Sequence, residues 1–72
     1  MSEEQNDSVR FELIRAIGAL QDAYAFCLHA EELANAYGAG GLKMRISGLR
    51  SRVNAAADHA AIIVEVTRGQ NE

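Results

Sequence analysis

The sequence predicts an all-α fold in which two long helices fold back on each other as an antiparallel hairpin. Two series of apolar residues, each stepping alternately by four and three positions, support this prediction, because such spacing places every member on one stripe of a helix. The series are separated by Gly38-Ala39-Gly40-Gly41, and the chain contains no proline. The glycine cluster therefore predicts the single turn.

The two series predict which residues lie where the helices meet. The first series contains Val9, Leu13, Ala16, Leu20, Ala23, Cys27, Ala30, Ala34 and Tyr37. The second contains Leu42, Ile46, Leu49, Val53, Ala56, Ala60, Ile63 and Thr67. Alanine fills many of these positions, so we expect helix axes near the short end of the usual ~8–10 Å separation.

Helix one is predicted over residues 8–36, preceded by a flexible polar N-terminus over residues 1–7. Its N-cap is expected at one of three residues whose side chains can accept from free backbone N–H groups, namely Asn6, Asp7 and Ser8. A capping box formed by Ser2 and Gln5 is the alternative, and it would start the helix earlier.

The turn is predicted over residues 37–41, with Gly38 as the left-handed residue that ends helix one. Helix two is predicted over residues 42–68, and residues 69–72 form a polar C-terminal tail. The similar helix lengths and the short turn favour the antiparallel arrangement. Residues 62–67 are rich in β-branched side chains and could instead form a strand; their helical spacing favours the helix.

Opposite charges predict how the helices align. Folding at the glycines would bring oppositely charged residues of the two helices side by side, both near the turn and near the termini. The predicted neighbours are Glu31 and Glu32 with Lys43 and Arg45, Arg15 with Glu65, and Glu12 with Arg68.

The chain is expected to self-associate. It has 72 residues and one cysteine, so an intrachain disulfide is excluded, and a hairpin this small usually needs further stabilisation. Apolar residues beyond the two series also remain to be covered. We therefore expect a homodimeric four-helix bundle, or a higher oligomer, whose core contains Leu13, Ile17, Leu20, Tyr24, Cys27, Leu28, Leu49, Val53 and Ile63.

A second apolar group, made up of Phe11, Ile14, Ile62 and Val66, is expected at the end of the hairpin away from the turn. An aromatic residue among aliphatic ones is typical of protein-binding sites. The sequence therefore favours a small non-enzymatic interaction protein that binds and modulates a larger protein, as an inhibitor or adaptor, of the kind that phages and mobile elements encode. Packing within a larger oligomer, or against the N-terminal segment of the chain, is the alternative for this group.

A binder of nucleic acid or of a nucleotide is the alternative function. Lys43, Arg45, Arg50 and Arg52 fall within ten residues without an intervening acid, and arginine can hold phosphate in a bidentate manner. The same residues could bind an acidic partner, or could simply be solvated residues at the rim of the bundle. No known nucleic-acid-binding motif accompanies them. The net charge of −3 also argues against general nucleic-acid binding.

Catalysis, cofactors and metals are not expected. Cys27 lies in the first apolar series and is expected to be a buried, inert thiol. His29 and Glu32 lie one turn apart, but the Glu-x-x-His order of di-iron bundles is missing. No segment is apolar enough to span a membrane and no export signal is recognisable, so a cytoplasmic location is expected.

Overall fold

A computed structural model of the chain describes residues 2–69. It consists of two antiparallel helices, α1 (Glu3–Ala36) and α2 (Gly40–Gly69), which pack against each other along their length. The hairpin measures 54 × 14 × 11 Å. The predicted all-α antiparallel hairpin is confirmed, and residues 62–67 continue α2 as helix, so the strand alternative does not occur.

Helix α1 starts five residues before its predicted beginning, because Ser2 acts as its N-cap. The Ser2 hydroxyl accepts from the backbone N–H of Gln5 at 3.2 Å, and the Gln5 side chain accepts from the Ser2 N–H at 3.1 Å. This is the capping box that the sequence offered as the alternative. The segment expected to be flexible is therefore helical from Glu3 onward.

The turn is a helix-ending motif built on Gly38. Gly38 has φ 72°, and its N–H donates to the Asn35 carbonyl at 3.1 Å. The N–H of Ala39 donates to the Ala34 carbonyl at 2.8 Å, so two carbonyls at the end of α1 are satisfied. The predicted left-handed glycine is confirmed. Helix α2 begins at Gly40, two residues earlier than predicted, and includes Gly69; residues 70–72 of the predicted tail lie outside the described residues.

The surface on which the helices meet, here called the seam, follows the predicted four-three spacing. Its side chains are buried or half-buried. On α1 they are Asn6, Arg10, Leu13, Ile17, Leu20, Tyr24, Cys27, Glu31 and Ala34. On α2 they are Ile46, Arg50, Val53, Ala57, Ala60, Val64 and Thr67.

Only half of each predicted series belongs to the seam. The row from Leu13 to Ala34 in α1 and the row from Ile46 to Thr67 in α2 face the partner helix. The alternate rows, from Val9 to Tyr37 and from Leu42 to Ile63, lie beside it and are mostly exposed. The apolar stripe of each helix is therefore wider than a two-helix contact and is rotated toward one side of the hairpin.

The hairpin buries little apolar surface by itself. Among residues 2–69 the buried apolar side chains are Ala34, Ala60 and Val64, whereas Asn6, Glu31 and Thr67 are buried polar ones. Many large hydrophobic side chains are exposed: Val9, Phe11, Ile14, Phe26, Leu28, Leu33, Tyr37, Leu42, Met44, Leu49, Ile62, Ile63 and Val66. Burial of large apolar side chains is the main favourable contribution to the free energy of folding. The seam alone does not bury these side chains, so the single hairpin does not gain that stabilisation.

The predicted ion pairs between the helices do not form. Arg15 pairs with Glu12 at 3.2 Å, and Arg68 pairs with Glu65 at 3.2 Å, each within its own helix. Pairs three residues apart on one helix need no particular alignment of the two helices. The alignment is instead set by contacts in the seam that involve Arg50 and Asn6.

Candidate interaction surfaces

The seam divides the outside of the hairpin into two broad sides of different composition. Because the helices are antiparallel, the residues just before the row of Arg10 in α1 and just before the row of Arg50 in α2 flank the same side. The seam residues meant here are Arg10, Ile17, Tyr24 and Glu31 in α1, and Arg50, Ala57 and Val64 in α2. We call the side formed by the residues that precede them, and by those continuing the same seven-residue spacing, the apolar side. It consists of Val9, Ala16, Ala23, Ala30, Tyr37, Leu42, Leu49, Ala56 and Ile63.

The opposite side, here called the polar side, flanks the seam in the same way but has a different chemistry. It consists of Ile14, Gln21, Leu28, Asn35, Ser47, Asn54, Ala61 and Arg68. The two sides are equally close to the seam, so proximity to the seam cannot explain why one of them carries only apolar residues. This contrast favours burial of the apolar side against another molecule.

The residues predicted for a dimer core fall into three places. Most are half-buried in the seam of the single chain: Leu13, Ile17, Leu20, Tyr24, Cys27 and Val53. Leu49 and Ile63 lie on the apolar side, 53% and 38% exposed, and Leu28 lies on the polar side. The first group already has a partner within the chain, so only Leu49 and Ile63 belong to the apolar side that a second molecule could cover.

The predicted docking group, here called the distal cluster, is exposed at the end away from the turn. Phe11 and Ile62 are 61% and 62% exposed, and Ile14 and Val66 are 51% and 54% exposed. Phe11 and Ile14 share one surface of α1, and Ile62 and Val66 share one surface of α2. Each pair thus forms its own apolar spot at this end of the hairpin.

An acidic groove lies beside Phe11 on the first turns of α1. The residues that line it are Glu3, Glu4, Asp7, Ser8, Phe11 and Glu12. Asp7 pairs with Arg10 at 3.3 Å and Glu12 pairs with Arg15 at 3.2 Å, so Glu3 and Glu4 are the carboxylates that remain for an outside partner. An exposed aromatic ring beside such carboxylates is suited to a positively charged protein surface with an apolar pocket. The same carboxylates oppose the approach of a phosphate group.

A polar cluster occupies the seam in the C-terminal half of α1. The Arg50 guanidinium donates to the Glu31 carboxylate through Nε and Nη2, and its Nη1 donates to the Tyr24 hydroxyl at 3.2 Å. Nη2 also donates to Ser47 at 3.4 Å. The guanidinium carbon lies 5.6 Å from the centre of the Tyr24 ring. The hydrogen bond that Arg50 donates to Glu31, and then the one that it donates to Tyr24, raises the pKa of Arg50.

The four basic residues predicted for phosphate binding are therefore not equivalent. Arg50 is engaged in the seam, and the Lys43 ammonium donates to the Asn35 side chain at 3.2 Å. Arg45 and Arg52 are exposed and form no ion pair among residues 2–69. These two share a row along α2 with His59, because the three residues are spaced by seven.

Sequence reasoning missed the most buried side chain among residues 2–69. Asn6 was expected in the flexible N-terminus, but it is 0% exposed and its Nδ2 donates to the Thr67 carbonyl at 2.6 Å. Thr67 lies in the last turn of α2, where backbone carbonyls lack helical partners. Asn6 therefore caps α2 from the other helix. The signal was its position seven residues before Leu13, on the same stripe of α1.

The structure gives no basis for a metal site or a membrane span in the described part of the chain. Within residues 2–69, no three His, Cys, Asp or Glu side chains lie together as metal ligands would. Neither helix there contains a stretch long and apolar enough to cross a bilayer. Cys27 is a half-buried free thiol on the seam.

Comparison with known proteins adds no relative. The chain gives no significant match to a protein-family model, a curated protein or a solved structure.

Proposed function

We propose that this chain is a non-enzymatic interaction protein that binds and modulates a larger protein. The observation that carries the proposal is the contrast between a minimal core and a large exposed apolar surface, which includes the distal cluster. An isolated hairpin has no evident use for these side chains, whereas binding would bury them.

The distal cluster and its acidic groove define the chemistry of the partner. Phe11 would insert into an apolar pocket, and Glu3 and Glu4 would face basic residues around that pocket. Nucleic-acid or nucleotide binding is less well supported, because Arg50 and Lys43 are engaged within the chain. Arg45 and Arg52 are what remains available for that alternative.

Affinity capture from the cells that produce the protein, followed by reconstitution with the purified partner, tests the proposal. We expect one protein to bind stoichiometrically, and Phe11→Asp to weaken that binding about 100-fold or more while far-UV circular dichroism shows unchanged helicity. Ser51→Asp is the matched control, because it adds the same charge at an exposed position of α2 and should leave binding unchanged.

Two results would contradict the proposal. In one, the purified partner binds Phe11→Asp as tightly as the original chain. In the other, the captured molecule is nucleic acid, its binding falls steeply with added salt, and Arg45→Ala with Arg52→Ala abolishes it.

A further inference from the structure

The apolar side is large enough to form a stable interface with a partner of similar shape. The broad dimensions of the hairpin, 54 Å by 14 Å, give a flat area of roughly 750 Å². Specific interfaces usually bury about 800 Å² on each partner. A second copy of this chain supplies a surface of the same length and composition, and two hairpins stacked in this way form a four-helix bundle.

The composition of the two rows decides how the copies would be oriented. The α1 row of the apolar side is mostly alanine, whereas the α2 row carries Leu42, Leu49 and Ile63. Large side chains pack best against small ones across an interface. Laying α2 of one copy on α1 of the other matches large with small. Laying like helices together would instead set alanine against alanine and leucine against leucine.

The positions of these residues along the long axis of the hairpin, here called their heights, also allow large side chains to meet small ones. Arg50 contacts Tyr24 and Glu31, so Leu49 lies at the height of the α1 segment between Ala23 and Ala30. A two-fold axis parallel to the helices preserves height. It would therefore place Leu49 of one copy between Ala23 and Ala30 of the other.

Charge at the edge of the apolar side favours the same orientation. Arg45, Arg52 and His59 form the outer row next to the large residues of α2. If α2 lay on α2 of the other copy, this cationic row would face itself and the like charges would repel. The corresponding outer row of α1 contains Glu12, Ala19, Phe26 and Leu33 and has no cation. Arg52 would then reach the height of Phe26, whose ring can attract a guanidinium.

We propose that the apolar side is covered by a second copy of this chain, stacked so that α2 of each copy lies on α1 of the other and both turns are at the same end. In this arrangement every neighbouring pair of helices is antiparallel. The distal cluster and its acidic groove remain at the opposite end from the turns, so this inference does not depend on the docking proposal.

Leu49 and Leu28 provide a matched test of which side forms the interface. Leu28 lies between Tyr24 and Glu31, and Leu49 immediately precedes Arg50, so both leucines lie at the same height but on opposite sides. In sedimentation equilibrium we expect a dimer of the 7.8 kDa chain. Leu49→Glu should raise its dissociation constant about 100-fold or more, and Leu28→Glu should leave it nearly unchanged.

A distance measurement tests the orientation without altering the interface. Cys27→Ala with Met44→Cys provides one spin label per chain, at a 77% exposed position near the turn and outside the apolar side. With both turns at the same end, the two labels should lie less than about 30 Å apart. With the turns at opposite ends, they would be separated by more than about 40 Å of the 54 Å hairpin.

The outcomes separate the alternatives. A monomer at all micromolar concentrations, or a dimer broken by Leu28→Glu and not by Leu49→Glu, would overturn the proposed interface. A label distance above about 40 Å would overturn the proposed orientation. The label measurement remains decisive even if Leu49→Glu fails to fold.

Discussion

Replacing Asn6 by alanine tests whether the termini of the hairpin are joined by a buried hydrogen bond. The Asn6 amide is 0% exposed and donates to the Thr67 carbonyl at 2.6 Å. Removing the donor leaves a buried carbonyl without that partner, which costs about 1–3 kcal/mol. Alanine recovers up to ~0.7 kcal/mol through its higher helix propensity. We therefore expect a net loss of about 1–2 kcal/mol in the free energy of unfolding.

The assay is thermal unfolding followed by circular dichroism at one fixed protein concentration, because self-association would make the midpoint depend on concentration. For a chain of this size, each kcal/mol lowers the midpoint by about 4–8 °C. Asn54→Ala is the matched control. Asn54 is an exposed residue of α2, so its replacement should leave the midpoint unchanged or raise it slightly.

A second substitution separates the hydrogen bond from packing. Asn6→Asp preserves the shape of the side chain but replaces the amide donor by a carboxylate, which at neutral pH can only accept. It should destabilise the protein more than alanine does, because a negative charge is then buried against a carbonyl at the end of α2. If Asn6→Ala and Asn54→Ala shift the midpoint equally, or Asn6→Asp is as stable as the original chain, the reasoning is wrong.

Two further predictions concern the alignment of the helices and the turn. Arg50→Met should lower the unfolding midpoint because Glu31 loses its ion pair in the seam, whereas Arg15→Met, which removes only an exposed pair with Glu12, should change it little; equal shifts would contradict a structural role for Arg50. Gly38→Ala should cost about 1–2 kcal/mol in urea unfolding because alanine disfavours φ 72°. By contrast, Gly48→Ala, in open space within α2, should be neutral or stabilising by up to ~1 kcal/mol.

The helices and the turn could be predicted because their causes are local. Hydrophobic spacing set both helices, and Gly38 marked the turn because alternatives to glycine are strained at positive φ. The start of α1 was less certain, since several residues near it could serve as N-cap. A long-range contact favours Ser2 over Asp7 or Ser8 as the N-cap. Extending the helix back to Glu3 brings Asn6 onto the seam, where it bonds to the Thr67 carbonyl.

The residues of the candidate interaction surfaces could be identified from sequence only in part. The exposed distal cluster follows from residues lying off the main stripes, and the structure leaves Phe11 and Ile62 exposed. The role of Arg50 did not follow, because a basic residue on a helix gives no local sign of whether it faces water or a carboxylate on the neighbouring helix. Its contacts with Glu31 and Tyr24 depend on how the two helices align.

The sequence by itself determined that the chain forms two helices with one turn, and that each helix carries an apolar stripe. Only the tertiary structure decided which half of each stripe meets the other helix and which half faces outward. The physical reason is that a stripe wider than a two-helix contact permits more than one rotation of each helix. The long-range contacts of Asn6 with Thr67, and of Arg50 with Glu31 and Tyr24, select one rotation and turn the rows containing Leu49 and Ala30 toward one open side.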